Sequence, residues 1–441
     1  MSPPAPGAAA TVGSRPSAAY WSLGVTCITL ALAYGVWYAY SVFLVALLRE
    51  FGWSRSVLAG AFSLFTLVAG AVNPVVGGLG DRWGPRRVIM VGGGILALAL
   101  WAVSLITTPW QLYAAFGLAT SVGVTTAGWT PAVILVQRQF THRLGLALGI
   151  AGSGIGLGIF LVVPLSQALI DAYGWRWAFR ILALICAGWI LPATWLALRD
   201  ASPLTASGRG GAAGAAGPPR RAAPAHPAGT AYNLTLVAAM ATAPFWLITG
   251  AKFFGNLCSQ TLHVHQAAFF VDHGVTPMVA ASIVSVVGAA SIVGKTGGGW
   301  ISDFVSRELI YVLGMASMIA SVGLLGLTPL TSSAWVAYGY AVLFGIGYSV
   351  TASLIPAMVS DRFRGRHFGV IFGVAQIGAS VGSALGAWLA GRIFDATGSY
   401  AIPFALAAAA AVIAAVAMWV ARTVRLPGGT ESRGGLPDHA S

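Results

Sequence analysis

From Tyr20 to Arg422 the chain alternates between long apolar runs and short polar interruptions. The runs show neither the two-residue alternation of a half-buried strand nor the broad polar face of a surface helix. A run of about 20 apolar residues is long enough to cross a bilayer as a helix. The pattern predicts twelve such helices, near residues 20–48, 54–79, 87–107, 110–137, 144–170, 176–197, 240–270, 277–302, 309–328, 333–359, 367–393 and 398–422. The interruptions hold the turn residues and nearly all the charge, as in REFGWSR (Arg49–Arg55) and LGDRWGPRR (Leu79–Arg87).

Composition sharpens this picture. Of 441 residues, 57% are apolar and 8% charged, against about 25% charged in a soluble domain. This is the composition of a polytopic all-α membrane protein with the lipid bilayer as its solvent; it excludes a secreted domain, a soluble enzyme and a nucleic-acid binder. The net charge of +13 reads as loop arginines facing an anionic leaflet. With the N-terminus inside, 17 arginines fall on the cytoplasmic side and five (Arg49, Arg55, Arg176, Arg180 and Arg392) on the outer side. The positive-inside rule therefore predicts two cytoplasmic termini. Arginine, alanine and glycine usage suggests a bacterial inner membrane. The three cysteines lie inside apolar runs and form no disulfide framework.

Residues 201–229 are Gly/Ala/Pro-rich and are predicted to be a flexible cytoplasmic linker. They divide the chain into a six-helix bundle over 20–200 and a second over 230–425, with tails at 1–19 and 426–441. The bundles are related in sequence. Gly145, Gly149, Gly154, Gly158, Asp171 and Gly174 recur 224 positions later as Gly369, Gly373, Gly378, Gly382, Asp395 and Gly398.

The loop GGLGDRWGPRR (Gly77–Arg87) and its degenerate copy GGWISDFVSR (Gly298–Arg307) resemble the signature loops of the major facilitator superfamily. The runs Gly35–Arg55, Gln139–Gly158, His265–Gly274 and Gly294–Asp303 resemble its monocarboxylate and oxalate/formate porter branch. The resemblance implies twelve transmembrane helices in two pseudo-symmetric six-helix bundles. It also implies a conformational latch at Gly77, Asp81, Arg82, Gly84, Arg86, Arg87 and Asp303. Lys295 matches the branch's basic position on span eight, and His265 also fits its pattern. Ser291 stands where animal members carry an acid. Tyr34 and Tyr38 replace a span-one lysine, and Gln376 is nearest to the span-eleven lysine of the oxalate/formate exchangers.

The residues themselves point to an anion. The only lysines, Lys252 and Lys295, both fall inside apolar runs, whereas all eleven carboxylates fall in loops, tails or at span ends. Intramembrane cations are costly and mark functional sites; with no acid at mid-depth, the expected counter-ion is the cargo. At 100° per residue Lys252, Asn256, Ser259 and His263 share one stripe of span seven, and His265 points away from it. Snorkelling of Lys252 to the headgroups is the competing expectation. The aromatic face at Tyr34, Trp37 and Tyr38 fits either a cover for a small acid or helix packing.

The expected function is therefore a monomeric secondary transporter of a small organic anion, a monocarboxylate first. Lys295 would bind the carboxylate, assisted by Lys252 and His263, with Asn256, Tyr34, Tyr38, Ser291 and Gln376 around it. Proton symport is expected to arise at the lysine–anion pair or at a histidine. Alternatives are an organic-anion exchanger or exporter and, with less support, a drug exporter, which would be expected to keep an intramembrane acid. No metal ligand cluster, cofactor motif or catalytic pair is present in the sequence, so an enzyme is not expected.

Overall fold

The computed structural model describes residues 16–139, 144–197, 235–302, 304–328, 334–363 and 368–424, and all regular structure among them is helical. The linker, both outer tails, Asp303 and the Asp81 side chain lie outside that description.

Glycine and proline set the boundaries. The first helix, α1 (Pro16–Phe51), stops at Gly52, whose φ of +62° disfavours a side chain. Ser54 then caps α2 (Arg55–Trp83) by accepting from Val57 N. Gly84, at φ +85°, and Pro85 turn α2 into α3 (Pro85–Val103). The fourth predicted span is not one regular helix. A capping box at Thr108 and Gln111 starts α4 (Pro109–Leu112), which continues through a π-helical stretch, Tyr113–Thr120, into α5 (Ser121–Ala127). Gly128 breaks the path before α6 (Trp129–Gln139). Spans five and six form one continuous element, α7 (Leu144–Ala197), folded back at Gly174 with φ +79°.

A short α8 (Leu236–Met240) precedes α9 (Ala243–Asp272), which is followed by α10 (Pro277–Ile301) and α11 (Arg307–Leu327). The last three helices are α12 (Ala334–Arg362), α13 (Phe368–Thr397) and α14 (Ala401–Thr423). Among the described residues, nine helical segments are long and apolar enough to cross a bilayer, the folded α7 counting as one. The polar residues of α9 keep it out of that group.

The sequence repeat is visible in the packing. α1 packs along α7, and α9 along α13. A Cβ at Gly158 would strike the Ala31 carbonyl, and one at its counterpart Gly382 would strike the Phe253 carbonyl. Small residues let helix backbones approach where lipid provides no hydrophobic drive between helices. The halves meet at two related seams, α2 on α13 and α7 on α10, with α1 against α9 between them.

The turns at Gly52, Gly174, Gly274 and Gly398, all with positive φ, lie at one end of the bundle, here called the glycine-turn face. Contacts around it bring them together: Trp175 Nε1 donates to Glu50 at 2.5 Å, and Arg55 reaches Asp272 and Asp395. Large apolar side chains such as Leu98, Trp110, Leu196 and Trp335 are exposed around the outside. Such a surface suits a hydrocarbon surround and would be a liability in water.

Candidate functional site

The site is built on α9. Its residues from Cys258 to Phe270 are all buried, polar ones included. A cavity of about 90 Å³ lies between α9, α1, α11 and α12, lined by Tyr38, Asn256, Ser259, Gln260, Tyr311 and Tyr348 among others. The predicted stripe therefore faces the interior, and Asn256 and Ser259 reach the cavity directly.

His263 stands one turn beyond Ser259. Its Nδ1 faces the Ser259 carbonyl at 2.9 Å and therefore carries a hydrogen. Its ring packs between Tyr38, Phe344 and Tyr348, with centroids 4.8, 4.5 and 4.6 Å away. Nε2 is buried without a partner, and so is Oε1 of Gln260. Buried polar atoms are rarely left unpaired, and each exception requires a reason. Two such atoms belong to residues lining the cavity, Gln260 Oε1 and the Tyr348 hydroxyl, and His263 stands beside that lining with its ring against Tyr38 and Tyr348.

The lysines occupy different surroundings. Lys252 is 7% exposed, so it does not snorkel; its Nζ lies 4.8 Å from the Phe372 ring centroid. Gln376, one helical turn past Phe372, has a buried Oε1 with no partner. Lys295 is half-buried on α10, close enough for its charge to act on His263. Among the described residues, neither lysine has a carboxylate within ion-pair distance. Ser291, one turn from Lys295, donates to the Gly288 carbonyl at 2.7 Å beside Tyr348.

Other expected site residues are placed elsewhere. Tyr34 does not line the cavity. It stacks on Trp37 with centroids 5.5 Å apart and covers Gly128, so it belongs to the α1–α6 contact. Trp37 packs edge-on to Phe65 at 4.6 Å. Of the aromatic face only Tyr38 reaches the cavity, because α1 turns its other rings into its own half. His265 lies away from the cavity, against Tyr400. Sequence reasoning missed Gln260, Tyr311, Tyr348 and Thr351. Gln260 was legible as a polar residue at the stripe's edge; the three on α11 and α12 carry no sequence signal, since hydroxyls in apolar helices are common.

At the opposite face, Gly77 approaches Thr130 and Gly84 provides its turn. Arg86, one of the residues expected in the latch, donates to the Trp195 carbonyl at 2.6 Å. Arg82 and Arg87 are exposed. The acids of that predicted latch, the Asp81 side chain and Asp303, fall outside the description.

Comparison with known proteins agrees with this architecture. The family described as Major Facilitator Superfamily matches residues 26–377 and 266–440. The chain is 28% identical over 387 residues to Monocarboxylate transporter 13 of Rattus norvegicus, covering 86% of this chain and 83% of that one. It is 26% identical to Monocarboxylate transporter 4 of Mus musculus, over 88% and 80% of the two chains. A bacterial homologue of the human lysosomal transporter Spinster, solved inward-facing and unoccupied, superposes with a TM-score of 0.68 at 17% identity, covering 93% of this chain and 98% of that one. Twofold-repeated helices and close glycine packing thus accompany a match over most of the sequence: the chain belongs to the Major Facilitator Superfamily and is a membrane transporter.

Proposed function

We propose that the protein carries a small organic anion, a monocarboxylate in the first instance, by alternating access at the α9 cavity. The observation that carries the reading is the pair of lysines inside the helical bundle, on α9 and α10, without carboxylate partners among the described residues. An arriving carboxylate supplies the missing charge; Nε2 of His263, an acceptor while the ring is neutral, donates to it once protonated, and Gln260 donates through its amide nitrogen. The names of the relatives point the same way. The cavity, about 90 Å³, suits a short acid; drug-sized pockets run about 300–1,000 Å³.

In this reading Lys295 binds the carboxylate, Lys252 and Gln376 form a second station beside Phe372, and His263 carries a proton with the anion. The chain crosses an inner membrane twelve times as two six-helix bundles, with the glycine-turn face outside. The deciding experiment is thermal shift of the purified protein against short carboxylates, aromatic acids and cationic compounds, with Lys295→Ala alongside. Stabilisation by an acid that weakens about 10- to 100-fold in the variant is expected. Stabilisation by cations, or by acids equally in both proteins, would overturn the anion assignment.

A further inference from the structure

The α2–α13 seam is tied at the glycine-turn face by groups that the transport site does not use. Asp395, at the end of α13, accepts from the first two backbone N–H groups of α2: Arg55 N at 2.9 Å and Ser56 N at 2.8 Å. These are donors that a helix start leaves without intrahelical partners, and the carboxylate also meets the positive end of the helix dipole. Ser54 and Asp395 thus share the cap of α2, and part of it comes from the other half of the chain.

Arg55 returns the contact. Its guanidinium pairs with Asp272 at 2.7 Å, donates to the Tyr400 hydroxyl and lies 3.9 Å over the Phe394 ring. The Arg55 side chain is only 12% exposed, so it is no ordinary surface ion pair. One α2 residue is therefore held by the ends of α9 and α13 and the start of α14. Gly391 makes room, since a Cβ there would lie 2.8 Å from the Arg55 carbonyl.

His265 completes the arrangement from α9. It is fully buried. Its Nε2 faces the Ala387 carbonyl at 2.9 Å and must donate, so Nδ1 accepts, 3.0 Å from the Tyr400 hydroxyl. Tyr400 then donates to His265 and accepts from Arg55. One placement of hydrogens satisfies all three side chains, and it aims the tyrosine oxygen at the guanidinium.

Among the described residues, the related seam shows no equivalent contact. Asp171, the counterpart of Asp395, accepts from Gln167 at 2.7 Å. It faces Pro277, the first residue of α10, across a cavity of about 450 Å³. Proline has no N–H to offer a cap.

We propose that Arg55, Asp272, Asp395 and Tyr400 form a latch that holds the α2–α13 seam shut at the glycine-turn face, and that His265 is its positioning residue, acting through Tyr400. The latch stabilises only conformations closed at this face, so removing it shifts the population toward open ones. The inference requires that the two halves move; it does not require that the cargo is an acid.

The test is a distance measurement between spin labels at Trp110→Cys and Ile402→Cys, in the full chain with Cys27, Cys186 and Cys258 replaced by serine and no substrate present. The unaltered latch is expected to give one dominant short distance. Arg55→Gln and Asp395→Asn should each raise the long-distance fraction about fivefold. Tyr400→Phe and His265→Ala should move it the same way by less, with the double variant matching Tyr400→Phe alone. His265→Gln, which can donate to Ala387 and accept from Tyr400, should restore the short distance. Thermal melts establish that each variant is folded, and Asp395→Asn or Tyr400→Phe decides the matter should Arg55→Gln not fold. Unchanged distances in folded Arg55 or Asp395 variants would overturn the latch. An effect of His265→Ala that adds to Tyr400→Phe would overturn its positioning role.

Discussion

His263 holds its Nδ1 hydrogen against the carbonyl of Ser259 at 2.9 Å, and that contact decides what its other nitrogen can do. With Nδ1 committed, Nε2 is an acceptor with no partner. In the proposed mechanism a proton arriving there turns it into a donor for the bound anion. His263→Phe keeps a ring between Tyr38, Phe344 and Tyr348 while removing both nitrogens. In proteoliposomes this variant is expected to lose the acceleration of acid uptake by an inward proton gradient while still exchanging acid for acid. Undiminished acceleration would place the proton elsewhere.

Gln260 offers a prediction with an unusual sign. Its Oε1 is buried and unpaired, so the empty protein bears the cost of desolvating it, about 1–3 kcal/mol for such a group. Gln260→Met should therefore leave the melting temperature unchanged or raise it. The same variant should weaken acid binding about tenfold, because the bound anion loses a polar neighbour. A large drop in melting temperature would show that Gln260 is a structural residue.

The glycine repeat predicts paired outcomes. Gly158→Ala and Gly382→Ala each push a methyl group onto a facing carbonyl, of Ala31 and of Phe253. Each should cost about 1–3 kcal/mol, the usual range for overpacking. Gly149→Ala and Gly373→Ala, related by the same offset, meet nothing within 4 Å. Those two should be neutral or stabilising by up to about 1 kcal/mol, since alanine favours helix. Denaturation of the four variants in one detergent checks all of this together.

Ion pairs at the glycine-turn face should differ in weight. Glu50 pairs with Arg176, but the two side chains are 40% and 36% exposed. Glu50→Gln is expected to change stability by less than about 1 kcal/mol, and less again in high salt. Arg55, 12% exposed and held by three helices, should respond more strongly and with little dependence on salt. Melts at low and high ionic strength separate the two cases.

The apolar runs, the paired glycines and the isolated lysines were legible along the chain because each is a local property. Bilayer length, helix period and the cost of a buried charge act on residues close together in sequence. The repeat at 224 positions foretold that α1 on α7 would be echoed by α9 on α13. The stripe from Lys252 to His263 foretold which face of α9 turns inward.

The rest depended on contacts between residues distant in sequence. Tyr34 and Tyr38 share one face of α1, yet only Tyr38 meets α9, because the tilt of packed helices decides which turn of a face reaches a neighbour. Tyr348 and Tyr311 enter the cavity from helices whose sequences say nothing about it. Arg55 read as one of five stray outer arginines until the fold set it beside Asp272, Asp395 and Tyr400. His265 matched a family pattern without a partner in view. Sequence alone determined that this chain is a twice-repeated helical membrane protein whose two lysines fall inside apolar runs. Tertiary structure alone decided which polar atoms were left without partners and which were tied across the halves, because hydrogen bonding is satisfied in space, between residues as many as 340 positions apart.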